Sequence, residues 1–391
     1  MTDPGHLSQV IVAGVGMAPV GEHWDRSIRE LALEAIRQAL EDAASPSPQC
    51  MYVANMLAPV LSRQTQLGAM LADFAGLRGI EAATVEGAGA SGGLAVRQGY
   101  LAILSGEVDV ALVVGVEKMT DQVGAAVEAA LSTAADMDYE TVQGVTRTAQ
   151  AAMLMRRYLY EHAAPPDALA GFSLTAHANA VNNPKAMFRK AIRAEDYAHA
   201  PMVSEPVTIF DAAPMADGAA ALVLARSGAL PERPDRPAVR VLGSAAATSA
   251  LAVHDQQDPL VLEAAADSVQ RAYRQAGVTP EQIDLFEMHD LFSIYAALAL
   301  EAAGFAERGK GWRMAQDGKI ALDGQLPVLT MGGSKARGDA GGATGVYQIA
   351  ELALQLQGRA EGSQVEGAQI GMAQCLGGSG ATAATHILGV E

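Results

Sequence analysis

Apolar positions recur along the chain at two spacings, and the alternation between them outlines a fold. Residues 10–13 (VIVA) form a short continuous apolar run that ends at a glycine, which predicts a buried strand closed by a turn. Residues 27–43 carry apolar side chains at helical spacing, with Ser27 placed to cap the first turn. A second helical pattern covers about 65–75, and a short strand ends at Val85 before a glycine cluster from Gly87 to Gly93. A helix over about 91–104 follows, and then DVALVVGV at 109–116, which reads as a strand buried on both faces. Strand, helix, strand in this rhythm predicts a parallel or mixed sheet with helices packed against it.

The rhythm breaks at about residue 117 and stays broken to 204, where charge and aromatics rise and Pro165–Pro166 interrupts the chain. This stretch reads as a lobe inserted into the first unit. Core-like sequence returns at 206–225, and 227–237 (SGALPERPDRP) reads as a linker. The opening order of elements then restarts: strand 239–242, helix 260–276, strand 283–288 ending in His289–Asp290, helix 293–303, a glycine-rich loop at 332–345, a helix to about 357, and strands near 369–373 and 382–388. The expected architecture is a duplicated α/β unit, with halves at 1–226 and 238–391 and an insertion in the first.

Composition narrows the functional classes. Of 391 residues, 50% are hydrophobic and the net charge is −17, so the chain can bury a large core and lacks the basic surface that nucleic acid or an anionic membrane requires. Two cysteines, Cys50 and Cys375, cannot build a disulfide framework or a zinc site, and the eight histidines lack metal-ligand spacing. The first ten residues do not read as a signal peptide, and no apolar run is long enough to span a bilayer. A cytoplasmic protein with no bound metal is expected, and Cys50 is expected to be structural.

Gly87–Gly92 fits G-x-G-x-x-G between a strand and a helix, and Glu117 closes the next strand, near where a ribose-binding acid belongs. The same cluster also reads as a plain tight turn, or as a nucleophile turn at the positive end of a helix dipole, although residue 89 is then glycine.

Seven blocks in order resolve the choice: VEGAGASGGLAVRQGY, SGEVDVALVVGVEKMTD, NNPKAMFRKAI, DAAPMADGAAALVLA, His289-Asp290-Leu291-Phe292, GGSKARGDAGGATGVYQ and QCLGGSGATAATHILG. Over nearly its full length the chain resembles the thiolase superfamily, above all the sterol-carrier-protein-type and archaeal thiolases. The resemblance implies a thiolase fold, two mixed-sheet α/β units layered α-β-α-β-α, with the inserted loop domain covering coenzyme A.

It also implies four catalytic loops, of which two are altered. Where the family has C-A-S-G, this chain has Gly89-Ala90-Ser91-Gly92; where it has G-H-P-x-G-A-T-G, this chain has Gly338-Asp339-Ala340-Gly341-Gly342-Ala343-Thr344-Gly345. The nucleophile and the histidine that activates it are both missing, and the joint change at Asp339 and Ala340 points to divergence rather than a single substitution. By resemblance His289 holds a thioester oxygen, Cys375 moves a proton at the α-carbon, and the backbone N–H groups of Gly89 and Gly377 form an oxyanion hole. Without nucleophile and base no acyl-enzyme is expected, whereas a thioester enolate needs only oxyanion donors and an acid/base. The expected reaction is aldol or retro-aldol chemistry on a β-hydroxyacyl-CoA, with Asp339 as base on the β-hydroxyl.

Each of these residues also has a plainer reading: Cys375 as a buried thiol, His289 as a core histidine, Asp339 as a turn residue. Lys185, Arg189, Lys190 and Arg193 are an acid-free cluster suited to CoA phosphates or to a solvated helix face, and by resemblance Lys185, Met187, Phe188, Arg189 and Ser244 touch CoA. Coenzyme A, as part of the substrate, is the only cofactor expected. A conventional acetyl-CoA acyltransferase and a silent acyl-CoA-binding scaffold subunit are the competing classes. A homodimer paired through 109–116 and a small OB-fold partner are the assemblies the resemblance implies.

Overall fold

The computed structural model describes residues 10–231 and 233–390; the extreme N-terminus, read above for a leader, lies outside them. In the first half, β1 (Val10–Met17), α1 (Ile28–Asp42), β2 (Cys50–Ala54), α2 (Leu67–Phe74), β3 (Glu81–Val85), α3 (Ser91–Ser105) and β4 (Val110–Glu117) follow the predicted rhythm. The segment beyond carries α4 (Gly124–Leu131), α5 (Arg147–Glu161), α6 (Ala170–Asn179), the short α7 (Ala194–Ala198) and a small hairpin of β5 (Met202–Ser204) and β6 (Val207–Thr208). β7 (Gly218–Arg226) closes the unit. The second half runs β8 (Val239–Thr248), α8 (Glu263–Ala276), β9 (Leu285–Glu287), α9 (Ser293–Ala302), α10 (Gly311–Gln316), α11 (Thr344–Leu356), β10 (Ile370–Gly377) and β11 (Thr382–Gly389).

The duplication is written in the sheet, whose order is β3-β2-β4-β7-β1-β8-β11-β10-β9. Outward from the middle, β1–β7–β4–β2 pair antiparallel, antiparallel, parallel, and β8–β11–β10–β9 repeat that sequence. Among the described residues the half-sheets pair through Ile11–Arg240 and Val12–Val239.

Period-two alternation then sorts the side chains into layers. Ala111, Val113, Ala220, Leu222 and Leu224 face inward onto α3 and α11, while Leu112, Val114, Ala219, Ala221 and Val223 face outward onto α1 and α2. On the far side Val269 and Ala272 of α8 join the outer core of the second half. The result is the expected five-layer order, with α3 and α11 as the middle layer.

Two strands run past their predicted ends for one reason. Gly14 and Gly16 read as turn signals, yet both lie inside β1, because the α1 carbonyls of Ala39 and Ala35 lie where a Cβ would go. β8 extends through the weak strand formers GSAAAT because β11 pairs along nearly its whole length and α8 presses on Gly243. α1 starts as predicted, with a reciprocal capping box between Ser27 and Glu30. The expected pairing of two copies through 109–116 is not available: β4 is hydrogen-bonded on both sides, to β2 and β7, and the free edge of this half is β3.

Candidate active site

The two middle-layer helices begin at the same place. The turn at Ala88–Ala90 leads into α3, the turn at Gly341–Ala343 leads into α11, and Gly92 abuts the backbone of Gly345 and Val346. In front of these helix starts lies a cleft. Gly89, Arg147, Gln150, His289, Tyr295, Asp339 and Ser379 form its polar wall, and Met56, Leu131, Leu291, Phe292 and Leu376 its apolar one.

Asp339 is fixed at backbone and side chain. Its N–H donates to the Pro214 carbonyl at 2.9 Å, and its own carbonyl accepts from Ala216 N–H at 3.0 Å. Its Oδ1 accepts from Gly341 N–H (3.1 Å) and the Thr344 hydroxyl (3.0 Å), and its Oδ2 accepts from Arg147 Nη1 at 3.3 Å. Arg147 is the first residue of α5, which Thr146 caps by accepting from Ala149 N–H. The carboxylate is therefore held by three donors, one of them the cationic Arg147.

His289 lies two residues past the end of β9. Asp290 beside it accepts from the backbone N–H groups of Ser334 (2.6 Å) and Lys335 (3.1 Å), which ties this segment to the glycine-rich loop. Burial outweighs the pull of Asp339 and Asp290 and holds the imidazole below its ordinary pKa, so the ring is neutral at pH 7. Nδ1 is buried without a partner. Placing the proton on Nε2 leaves only a lone pair unsatisfied and gives the cleft an N–H donor.

That ring crowds Gly89. A Cβ at 89 would sit 2.5 Å from the Leu376 carbonyl oxygen and 2.9 Å from His289 Cε1, so the space of a nucleophile's side chain is occupied.

Cys375, expected to act at the α-carbon, does not line the cleft. Neighbours in a strand face opposite sides; Leu376 takes the cleft side and Cys375 points between the first turns of α3 and α11. Its thiol lies 2.9 and 2.7 Å from where Cβ atoms on Gly93 and Gly345 would stand, donates to Gln348 Oε1 at 3.2 Å, and is pushed up to about 12 by burial. These surroundings are those of the plainer reading, a buried thiol. Gly377 is likewise absent from the lining, its Cα pressed on the Gly87 carbonyl, while Gly378 and Ser379 reach the cleft.

The residues expected at CoA lie elsewhere. Ser244 is buried inside β8, its carbonyl accepting from Arg97 and its N–H donating to Gln275 Oε1, which closes it to a ligand. Lys185, Met187, Phe188 and Arg189 do not line the cleft, and their segment is irregular rather than helical, held to the glycine-rich loop through Met187 N–H to Arg337 O and Phe188 N–H to Ala336 O. Phe188 and Arg189 remain exposed. Glu117 is no ribose acid: it is sealed in the interior, accepting from Asn55 Nδ2, from Met56 and Leu57 N–H, and from Gly342 N–H, and so clamps the loop after β2 to the loop before α11.

Four wall residues escaped the sequence reading. Tyr295 lies three residues past the His-Asp-Leu-Phe block, so extending that motif would have reached it, whereas Ser379 lies inside the QCLGGSG block but was given no role. Arg147 and Gln150 come from the inserted segment, which carries no motif for either. Tyr295 donates to Ser379 Oγ at 3.2 Å, Ser379 donates to Gln150 Oε1 at 2.8 Å, and burial pushes the phenol up to about 12. Among the described residues no cluster of three or more His, Cys, Asp or Glu could hold a metal ion, and no helix is long and apolar enough to cross a membrane.

Comparison with known proteins agrees with this architecture. The family model of the thiolase N-terminal domain matches residues 10–228, and that of the thiolase C-terminal domain-like family matches 245–390. The chain is 43% identical to an acetyl-CoA acetyltransferase of Methanothermobacter thermautotrophicus over 97% of this chain and 99% of the relative. It is 30% identical to the benzoylsuccinyl-CoA thiolase subunit BbsB of Thauera aromatica over 92% and 91%. Among solved structures, an Ltp2-ChsH2(DUF35) aldolase superposes with a TM-score of 0.84 at 22% identity, covering 98% of each chain. With both halves of the fold matched and relatives similar from end to end, the chain belongs to the thiolase family.

Proposed function

We propose that this chain breaks or forms a C–C bond in a CoA thioester through an enolate, without an acyl-enzyme, and that the reaction is aldol or retro-aldol chemistry on a β-hydroxyacyl-CoA. One observation carries the reading: the cleft offers a carboxylate and a neutral imidazole but no thiol, and the place of a nucleophile at Gly89 is filled by the Leu376 carbonyl and the His289 ring.

In the cleavage direction Asp339 takes the proton of the β-hydroxyl, an acceptor's role that an ionised carboxylate can fill. The oxygen's electron pair forms the C=O bond of the departing aldehyde or ketone. The Cα–Cβ pair moves into the thioester enolate, whose oxygen is held by His289 Nε2–H and the Gly89 N–H. With Cys375 outside the cleft, the Tyr295 hydroxyl is the group proposed to protonate the α-carbon. It regains that proton through solvent from Asp339, which restores both groups.

Conventional acetyl-CoA acyl transfer is the second reading, favoured by the 43% identity to an acetyl-CoA acetyltransferase. It needs a nucleophile that this cleft does not supply. The similarity to the solved aldolase is one of fold. A homodimer, for which β3 offers the free sheet edge, and a small OB-fold partner belong to the same proposal.

The test is product analysis. Incubation with a 3-hydroxyacyl-CoA should yield a carbonyl compound and a shortened acyl-CoA, and incubation of a 3-oxoacyl-CoA with CoA should give no thiolysis. Robust thiolysis overturns the reading in favour of acyl transfer. Absence of both products, from the chain alone and with the small OB-fold partner added, overturns it in favour of a thioester-binding scaffold.

A further inference from the structure

Among the described residues lining the cleft, three buried polar atoms lack a partner: His289 Nδ1, Arg147 Nε and Gln150 Nε2. The last two are N–H donors from one face of α5, three residues apart and so neighbours on the helix surface. Buried donors without acceptors are costly and rare in native proteins, and in a ligand cleft they mark where a ligand supplies the acceptor.

The orientation of Gln150 is set by its neighbours. The Tyr295 hydroxyl donates to Ser379, and Ser379 donates to Gln150 Oε1. This relay occupies the amide oxygen and leaves the NH₂ as its free end. Arg147 is anchored in a similar way, with Nη1 on Asp339 Oδ2 while Nε stays unpaired. Arg147 thus sets one unpaired donor beside the carboxylate proposed to deprotonate the β-hydroxyl, and Gln150 presents the other from the same helix face in the same cleft.

We propose that Gln150 Nε2–H and Arg147 Nε–H together receive the oxygen on the β-carbon, which makes them the residues that select β-oxygenated acyl-CoAs over saturated ones. The inference rests on the β-hydroxyacyl-CoA reading above and adds the recognition element to it. The Arg147 charge is already matched by Asp339, so the pair suits a neutral hydroxyl or carbonyl oxygen rather than a second carboxylate. As the C–O bond becomes C=O the same donors remain in place, so cleavage needs no reorganisation of the wall.

The experiment is equilibrium binding, which separates this inference from the assignment of the reaction. Calorimetric Kd values for 3-hydroxybutyryl-CoA and butyryl-CoA are compared in the native chain and in two variants. Gln150→Glu keeps an oxygen for Ser379 and removes the N–H donors; Gln150→Met removes both. The native chain should bind the hydroxy compound at least tenfold more tightly. Both variants should bring the ratio to within twofold of one while leaving butyryl-CoA affinity within threefold. An unchanged ratio in the variants, or no preference in the native chain, overturns the inference. Retro-aldol products from a native chain without that preference would leave the reaction standing and remove only the recognition role.

Discussion

Arg147 and Asp339 lie 192 residues apart in the chain and meet at 3.3 Å in the wall of the cleft, an ion pair whose side chains are 16% and 4% exposed. One comes from the inserted segment and the other from the loop that starts α11, so the pair fastens the insertion to the centre of the duplicated fold.

Breaking that pair from one side should cost more than removing it whole. Arg147→Met leaves a nearly sealed carboxylate without its cation, and a loss of about 2–3 kcal/mol in urea unfolding is expected. In an Asp339→Asn background the same change should cost less than half as much. Additive costs in the double variant would show that the two groups do not interact.

Asp339→Asn should reduce retro-aldol turnover by about 10²-fold or more, the usual contribution of a positioned base. The amide is nearly isosteric, so the Kd for a β-hydroxyacyl-CoA should stay within about threefold. Turnover that survives intact would remove Asp339 from the proton transfer.

Gly89→Cys should not restore thiolase chemistry. Its Cβ would meet the Leu376 carbonyl at 2.5 Å and His289 Cε1 at 2.9 Å, and relieving such overpacking costs about 1–3 kcal/mol. Intact-protein mass measurement after incubation with acetyl-CoA should show no acyl adduct, and retro-aldol turnover should fall as His289 is displaced. A stable variant carrying an acyl group would contradict the packing described above.

Cys375→Ala should leave turnover within about twofold, because the thiol faces away from the cleft, at a stability cost of about 1 kcal/mol for the small void and the lost Gln348 contact. With its pKa pushed up to about 12, native Cys375 should also resist iodoacetamide at pH 8 until the protein unfolds. A collapse of turnover in the alanine variant would return the thiol to the mechanism.

His386 sets an acid limit on stability. Its Nε2 lies 2.9 Å from the Gly93 carbonyl, and burial lowers its pKa from 6.5 to about 4. The unfolded chain takes up a proton below pH 6.5 while the native ring refuses it down to about 4, so stability is full above that window and is lost as the pH falls through it. The loss attributable to this residue is about 3 kcal/mol. The difference in unfolding free energy between the native chain and His386→Gln should therefore shrink by about that amount from pH 7 to pH 4 and stay flat above pH 7. A difference independent of pH would show that the ring titrates normally.

Local order fixed most of the fold in advance. The capping signal at Ser27, the fully apolar 110–116, the restart of the rhythm at 239 and the seven blocks each report on residues adjacent in the chain, and each found its place. The errors share a physical origin. Gly14 and Gly16 looked like punctuation because the helix that requires them lies some twenty residues away. Cys375 looked catalytic because a motif records order along a strand but not which face a side chain takes. Ser244 looked accessible because nothing nearby in sequence reveals Arg97 and Gln275 closing over it.

The amino-acid order by itself determined the duplicated α/β fold, which follows from spacing within single elements, and its resemblance to the thiolases singled out Gly89, His289 and the substituted Asp339. The tertiary structure alone decided which groups share the cleft. It brought Arg147 and Gln150 to the same wall as Tyr295 and Ser379, and it turned Cys375 away. Shared space depends on how sheets and helices pack across hundreds of residues, and that packing is set by the whole core rather than by any local pattern.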